Sequence, residues 1–402
     1  MYKYPEKWNE DFLKSMSLKK DPLADNVIND IVLGNDFNDL RHLFMTLTDN
    51  NDKSSGSEMN PSVYNYFNQN NELPLWADQS KIELAQSVYY RHGPQISMIL
   101  NFYALPLCYS CKNGAKVLAA TGRLSGTNKD VGRTFRRLFE TSKIVLDTMT
   151  EGGLSDKGAG IVTAKKVRLY HAAIRYFLLH EKCNPAGWDV ETLGEPINQE
   201  EMAGTLMSFS ALVIDGLEQL GAKLTTKEKD SYIHLWNIVG HFMGVDASLF
   251  PSNYKEGWSL GVSIINRNYH SSEDSIVLTK SLLDFSENIF QKTKMHHLVL
   301  KTMPFYLIQF FSLKVSKEIN QNIPALLGVN KKLNFFQKFK GGVFIFIIQL
   351  LSKLENKSKF FRKIYARITQ KYLKKMIQFY LETYNADFYI PSSLKASWKM
   401  KG

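Results

Sequence analysis

The chain has 402 residues, of which 44% are hydrophobic, 12% aromatic and 22% charged. This composition is typical of a folded globular protein and excludes disordered, collagen-like and disulfide-rich chains. Three cysteines are too few to cross-link a fold of this length, so we expect a reducing, cytoplasmic environment.

The positive charge is concentrated at the C-terminal end. The net charge is +11, yet residues 331–402 contain 16 Lys and Arg against 3 Asp and Glu, so the first 330 residues are close to neutral. A basic region rich in aromatic residues can attract nucleic acid or an anionic membrane surface. The simpler account is amphipathic helices with lysines on their solvent face. We expect folded-back helices, weak membrane-surface contact through 331–402 and no nucleic-acid partner.

Two further features concern membranes and secretion. No apolar stretch near the first residue resembles a secretion signal. The best apolar run covers residues 341–351, which is shorter than the roughly eighteen residues that a spanning helix needs. The sequence therefore predicts an intracellular protein without a transmembrane helix.

In chain order, residues 1–60 are polar and irregular in pattern, and from about residue 75 apolar residues recur with helical spacing. Asn198 and Thr225 each precede a glutamate by three residues, as in N-terminal capping boxes. Gly221 and Gly244 stand where helices would end. We predict an all-α protein. Its segments are an N-terminal extension over 1–70, a helical core over 71–250 and a helical C-terminal region over 251–402, basic from 331.

Residues 129–150 have the pattern of one amphipathic helix at 100° per residue. Its predicted buried stripe contains Val131, Phe135, Leu138, Ser142, Val145 and Met149. Its predicted solvent face contains Arg136, Glu140, Lys143 and Asp147. A boundary stripe lies between these two faces and consists of Thr134, Arg137, Thr141, Ile144 and Thr148. That stripe fits the wall of a buried polar pocket or an ordinary helix shoulder.

The most informative stretch is residues 165–180, which includes His171 on an apolar helix face. On a helical wheel His171 lies within about 60° of Val167, Ile174 and Leu178. We therefore expect its imidazole to point toward the core.

Two arginines flank this histidine on the same helix. Arg168 and Arg175 lie to one side of His171, and the small residues Ala172 and Ala173 follow it. This set suits haem, which takes an axial nitrogen from a rigid helix and cations for its two propionates. The alternative is a buried, hydrogen-bonded histidine, with both arginines paired to acids elsewhere.

The stretch Lys166-Val-Arg-Leu-Tyr-His-Ala-Ala-Ile-Arg175 resembles the signature of the latex-clearing-protein (rubber oxygenase) family. That family also includes fungal endoplasmic-reticulum oxygenases of mycophenolic acid biosynthesis. Three further segments match in the expected order: Thr121-Gly-Arg-Leu124, Arg136-Arg-Leu-Phe-Glu-Thr141 and Asn198-Gln-Glu-Glu-Met-Ala-Gly-Thr-Leu-Met-Ser-Phe-Ser210. The resemblance covers about residues 75–250, and four ordered motifs are more specific than any one of them.

The resemblance implies haem b in a globin-like helical core with additional N- and C-terminal helices. It implies His171 as the proximal iron ligand, with Arg137 and Thr141 near the haem. In rubber-cleaving members a lysine precedes the matching threonine, whereas this sequence has Glu140. This departure argues against a lysine-ligated resting state and against rubber as the substrate.

We accordingly predict a haem b-dependent oxygenase that uses O₂ on an apolar alkene of the isoprenoid type. His171 is the predicted iron ligand, Arg168 and Arg175 the cofactor-binding residues, and Arg137 and Thr141 the catalytic residues. A base for allylic proton abstraction is not identified, since Glu140 and Asp130 are merely the nearest carboxylates in sequence. The alternatives are a haem-binding or gas-sensing protein without turnover and a haem-free helical interaction protein.

Three weaker motifs favour structural roles. Cys108 and Cys111 form a C-x-x-C without a strand context, which indicates two packed thiols. His234 and His241 share a helix face and are expected to be core or hydrogen-bonded histidines. The glycine-rich segment 151–160 follows a helix and lacks the Lys-Ser/Thr ending of a phosphate-binding loop. Residue spacing favours no hydrolase triad.

Overall fold

A computed structural model describes residues 3–34, 61–120, 141–156, 158–181, 184, 187–292, 302–330 and 332–355, with the single positions 367 and 371. In these segments every regular element is a helix, and β-type pairing is limited to an isolated bridge between Cys111 and Tyr269. The predicted all-α class is confirmed.

The helices are numbered here in chain order. They are α1 (Glu10–Met16), α2 (Pro22–Gly34), α3 (Pro61–Asn68), α4 (Gln79–Ile99), α5 (Leu105–Tyr109), α6 (Lys112–Ala120), α7 (described over 141–149), α8 (Ala159–Leu179), α9 (Val190–Leu193), α10 (Gln199–Phe209), α11 (Ala211–Gln219), α12 (Thr226–Phe242), α13 (Tyr254–Asn268), α14 (Glu273–Lys292), α15 (Met303–Glu318), α16 (Ile323–Leu326) and α17 (Phe335–Glu355). A π-helical turn, Leu100–Ala104, joins α4 to α5, and a 3₁₀ turn, Ala247–Leu249, precedes α13.

One large hydrophobic core joins most of these helices. It extends from Trp8, before α1, through Trp236 of α12 and Phe311 of α15 to Ile345 of α17. Helix α4 packs along α12 and also against α11, so the longest helices of the middle of the chain form the centre. Residues from all three predicted segments contribute to this core, and the division at residues 70 and 250 stays a prediction.

The N-terminal segment is more ordered than its composition indicated. Helices α1 and α2 occupy residues that we expected to be irregular, and that expectation is wrong for residues 10–34. Ala24 and Ile28 of α2 pack against Ala172 and Ala173 of α8 in a second hydrophobic cluster. The apolar spacing of α2 was a helical signal, but its many Asp and Asn residues masked it.

The predicted helix ends are confirmed. Thr225 and Glu228 form a reciprocal capping box at the start of α12. The side chain of Asn198 accepts a hydrogen bond from the backbone N–H of Glu201 and caps α10. Gly221 and Gly244 follow α11 and α12 with φ values of 83° and 79°, a left-handed conformation that favours glycine.

The glycine-rich segment 151–160 lets α7 and α8 approach closely. A Cβ atom on Gly153 would lie 1.9 Å from the carbonyl oxygen of Asp147. A Cβ atom on Gly160 would lie 2.8 Å from the carbonyl oxygen of Gly153 and 2.9 Å from the Cα of Thr148. Because these neighbours are backbone atoms, they cannot move aside without shifting a helix. The glycines therefore serve helix packing.

Gly160→Ala should lower the free energy of unfolding by about 1–3 kcal/mol, since the added methyl group overpacks the α7–α8 contact. Gly114→Ala is the matched control, because a Cβ atom there meets nothing within 4 Å and alanine favours helix. Urea denaturation of both variants would measure the difference. A Gly160→Ala protein as stable as Gly114→Ala would contradict this packing argument.

Helix α17 differs from the other described helices in its surface. Over Phe335–Leu354 it is long and apolar enough to cross a membrane by length and composition, and in the described part of the chain it is the one such candidate. The sequence argument excluded a spanning helix because its best apolar run, residues 341–351, is shorter than about eighteen residues. That run begins after Lys338 and Lys340. The helix continues through them, so that exclusion does not hold for length and composition.

One face of α17 packs on the domain and the other is exposed. Gly341 lies against the ring of Tyr306, Ile345 is buried, and the side-chain amide of Gln349 donates to the carbonyl of Gln219. The opposite face carries the exposed apolar side chains Phe335, Phe336, Phe339, Val343, Phe346, Ile347, Leu350 and Leu351. The expected folding back is thus seen for one face only, and residues 356–402 of the basic region lie almost wholly outside the described residues.

Candidate functional site

A cavity of about 290 Å³ lies among α5, α6, α7, α8, α10, α12 and α13. This is close to the lower end for small-molecule sites, roughly 300–1,000 Å³. Its wall is mainly apolar and includes Leu107, Val117, Met202, Phe209 and Trp236. Such a wall excludes water and suits a ligand with a large apolar surface.

His171 lies on the wall of this cavity. It shares one face of α8 with Thr163, Val167, Tyr170 and Ile174, all of which line the same space. The spacing of three or four residues is that of a single helix face. The expected orientation of His171 beside Val167 and Ile174 is therefore confirmed. Among the described residues it is the one histidine that lines the cavity.

The boundary stripe of α7 also reaches the cavity. Thr141 and Ile144 line it, as expected of a pocket wall. Arg137 and Glu140 lie outside the described residues, so the catalytic assignment of Arg137 stays a prediction. The predicted assignment of residues to the two flanking faces is partly wrong, because Ser142, which was assigned to the buried stripe, is exposed.

Asp147 corrects the predicted solvent face of α7. Its side chain is fully buried, and its Oδ2 atom accepts hydrogen bonds from Lys143 Nζ, at 2.6 Å, and from Thr163 Oγ1. Burial raises the pKa of Asp147, while the charge of Lys143 opposes that rise. The helical wheel failed here because this end of α7 is enclosed on all sides, by the glycine-rich turn as well as by α8.

Arg168 and Arg175 do not line the cavity. Arg168 forms a two-bond ion pair with Asp21, with distances of 2.6 and 2.7 Å. Arg175 donates from Nε to Asp25 at 2.7 Å and from Nη1 to the carbonyl of Ile197 at 3.1 Å. Both guanidiniums thus face α2 and its flank, as in the alternative stated above. Their assignment to haem propionates stays a prediction that this arrangement does not favour.

Two lysines bring positive charge to the cavity wall, although Lys143 is paired with Asp147. Lys143 and Lys166 line the cavity, and they are the cationic side chains that do so among the described residues. Lys166 precedes His171 by five residues on α8. The sequence argument placed Lys143 on the solvent face of α7 and gave Lys166 no role in the site.

Glu201 is a third cavity residue that sequence reasoning missed. We interpreted it as part of a capping box, yet its side chain lines the cavity. Its Oε1 atom has almost no accessible surface and no hydrogen-bond partner. Burial, followed by the charge of Glu200, raises the pKa of Glu201 to about 8, against the lowering effect of the backbone amides of Asn198 and Ile197.

The weaker motifs have structural surroundings. Cys108 and Cys111 are free thiols on the cavity wall, and burial raises the pKa of each. His234 accepts a hydrogen bond from the backbone N–H of Asp78 at 2.9 Å, and both His234 and His241 contact the ring of Trp76 edge-on. These observations agree with packed thiols and hydrogen-bonded histidines.

The described residues fit haem. In this part of the chain, no three His, Cys, Asp or Glu side chains are grouped to hold a bare metal ion. Haem needs one axial side chain, an apolar wall and cations for its carboxylates. His171, the apolar wall and Lys166 supply these features around one cavity, while Lys143, also on its wall, is paired with Asp147.

Comparisons with known proteins agree with this arrangement. Residues 92–320, more than half of the chain, match the family model described as "ER-bound oxygenase mpaB/B'/Rubber oxygenase, catalytic domain". A rubber oxygenase of Streptomyces sp. (strain K30) is 24% identical over 215 residues, which is 52% of this chain and 50% of the relative. The chain therefore spans about half the length of this curated relative.

A solved structure of latex clearing protein LCP in the closed state superimposes with a TM-score of 0.64. The match covers 84% of each chain at 15% sequence identity. This similarity confirms the predicted globin-like helical core with additional N- and C-terminal helices.

Proposed function

The chain belongs to the ER-bound oxygenase mpaB/B'/rubber oxygenase family, and we propose that it is a haem b-dependent oxygenase that acts with O₂ on an apolar, isoprenoid-like alkene. The observation that carries the proposal is the position of His171, in the middle of a long helix and on the wall of an apolar cavity. Bound haem would supply the oxygen chemistry.

The protein's own residues would hold the cofactor and the substrate. His171 would hold the haem iron, on a helix fixed by packing against α2 and α12. Lys166 would pair with a carboxylate of the cofactor, and Lys143 could do so only by exchanging its partner Asp147. The apolar wall would orient an alkene chain and keep water from the reacting atoms.

Thr141 is a candidate catalytic residue because it lines the cavity from α7, on a different helix from His171. A hydroxyl group there can donate a hydrogen bond to a bound molecule and accept one from it. The same cavity would thus present a histidine from one helix and a hydroxyl from another to whatever it binds.

We also propose that the protein works at the cytoplasmic surface of a membrane. The exposed apolar face of α17 lies beside Lys338 and Lys340, and the sequence that follows is strongly basic. Buried apolar area together with attraction to anionic lipids is what binds an interfacial helix. An alkene substrate dissolved in the bilayer would then be close at hand.

An absorption spectrum tests the haem proposal. Protein expressed with added haem precursor should show a Soret band, with about one haem per chain by pyridine haemochrome assay. Oxygen consumption with squalene, and cleaved aldehyde or ketone products by mass spectrometry, would test turnover. Protein without a Soret band after reconstitution with haem would overturn the proposal. A Soret band without oxygen consumption across a set of alkenes would favour a gas-sensing protein.

A further inference from the structure

Glu200 and Glu201 are neighbours in sequence but differ completely in their partners. Glu200 is buried and accepts hydrogen bonds from Arg267 Nε at 2.7 Å, Arg267 Nη2 at 2.6 Å and Asn268 Nδ2 at 2.8 Å. Its charge is therefore balanced within the protein. Glu201 has no such cation, and its Oε1 atom is buried without a hydrogen-bond partner.

A carboxyl group in this setting holds its proton. Leaving water is costly for a charged carboxylate and much less so for a neutral acid, and the fixed charge of Glu200 adds repulsion. In the described part of the chain no cation is paired with Glu201, and only the backbone amides of Asn198 and Ile197 oppose the rise in its pKa. Cys108 of α5 and Cys111, which lies between α5 and α6, line the cavity as neutral thiols, and Arg267 of α13 is already bound to Glu200. At neutral pH Glu201 is a carboxylic acid that can donate a hydrogen bond.

Glu201 belongs to one polar part of a mainly apolar cavity, on different helices from Lys143 and Lys166. Thr205 and Ser208 follow it on the same face of α10, and Asn113 of α6 and Asn268 of α13 line the cavity as well. None of these side chains carries a charge. A ligand end that meets this group would have to be polar and neutral.

We propose that Glu201 recognises the polar end of the substrate, and that the substrate is an alkene chain with one neutral oxygen group, such as an alcohol or a ketone, rather than a pure hydrocarbon. The proposal rests on the proposed function for the alkene and adds the oxygen group. A buried polar residue discriminates strongly because a ligand without a partner atom leaves it unsatisfied. Glu201 would therefore favour the oxygen-bearing chain.

Binding of two matched probes to the full chain tests the proposal. Farnesylacetone is an isoprenoid ketone that can only accept a hydrogen bond, and farnesene is a comparable hydrocarbon. Tryptophan fluorescence reports binding, since Trp236 lines the cavity. At pH 6.5 we expect the wild-type protein to bind the ketone about tenfold more tightly than farnesene. This preference should disappear in Glu201→Leu.

The conservative variant Glu201→Gln distinguishes the effect of hydrogen-bond donation from the effect of side-chain shape. Glu201→Gln carries an amide N–H at every pH, so it should keep the preference for the ketone from pH 6.5 to pH 9. The wild-type protein should lose it above about pH 8, as the acid ionises. Glu191→Gln, which removes a carboxylate at an exposed site away from the cavity wall, should behave as wild type. Equal affinity of wild-type protein for both probes, or a preference that survives in Glu201→Leu, would overturn the proposal.

Thermal stability gives a readout that involves neither haem nor substrate. The pKa of Glu201 is about 8 in the folded chain and 4.5 for an ordinary glutamate. Its favourable contribution is therefore present below pH 4.5 and is lost as pH rises through 8. The wild-type Tm should fall more between pH 5 and pH 8 than that of Glu201→Gln, whereas Glu191→Gln, at an exposed site, should follow wild type. Identical dependence of Tm on pH for wild type and Glu201→Gln would show that Glu201 is not a buried acid, whether or not the protein is a haem oxygenase. The absence of a Soret band would not change this result.

Discussion

Replacement of His171 by alanine should abolish stable haem binding and leave the fold intact. Among the described residues, His171 is the one histidine on the cavity wall. No second described histidine can therefore replace it as the iron ligand. The side chain is half-buried and borders an existing cavity, so its loss enlarges that space without unfolding α8. We expect haem content to fall at least tenfold by pyridine haemochrome assay, with an unchanged helical signal by circular dichroism.

Two controls distinguish ligation from packing. His241→Ala removes a histidine that contacts Trp76 and does not line the cavity, so it should keep its haem. Added imidazole should enter the space left in His171→Ala and restore a Soret band, because a small ligand can replace a missing axial side chain. Full haem content in His171→Ala, with a wild-type spectrum, would show that another residue binds the iron.

The local features of the fold were predictable from the sequence because they depend on nearby residues. The capping residues Asn198 and Thr225 and the glycine at 244 act within one or two helical turns. The same holds for the orientation of His171, since Val167 and Ile174 lie on its own helix. Helical periodicity was enough to place one wall of the cavity.

The errors concern contacts between distant parts of the chain. Arg168 and Arg175 find their partners 147 and 150 residues away, in a helix whose existence was not predicted. A helical wheel states which residues share a face and says nothing about how many sides of a helix are covered. Asp147 was placed in solvent for that reason, although it lies in the core with Lys143 and Thr163.

Glu201 shows how one residue can carry a local and a distant role at once. Its backbone N–H completes the cap of α10, which the sequence predicted. The Oε1 atom of its carboxyl group is buried because α5 and α13 pack against α10, and this tertiary arrangement has no local signal. The same packing gives Glu200 a cation and leaves Glu201 without one.

The exposed face of α17 should bind anionic membranes. Phe336, Phe339 and Phe346 are 72%, 60% and 62% exposed and lie on one side of the helix, opposite the buried Ile345. Partial burial of a phenylalanine in the lipid interface contributes roughly 1 kcal/mol. Replacing all three by serine should therefore weaken binding to phosphatidylglycerol-containing vesicles about a hundredfold. Co-sedimentation with vesicles measures this affinity.

The charges beside this face should make the binding depend on salt. Lys338→Gln with Lys340→Gln should weaken binding to anionic vesicles and flatten its salt dependence, since each lysine near such a surface contributes about 1 kcal/mol. Leu313→Ser is the matched control, because Leu313 is an apolar residue of similar exposure, 53%, on a different helix, α15. It should pellet as the wild-type protein does. Equal pelleting of the triple serine variant and the wild-type protein with anionic vesicles at low salt would show that α17 is not the membrane-binding element. Its apolar face would then be covered by another part of the chain or by another protein.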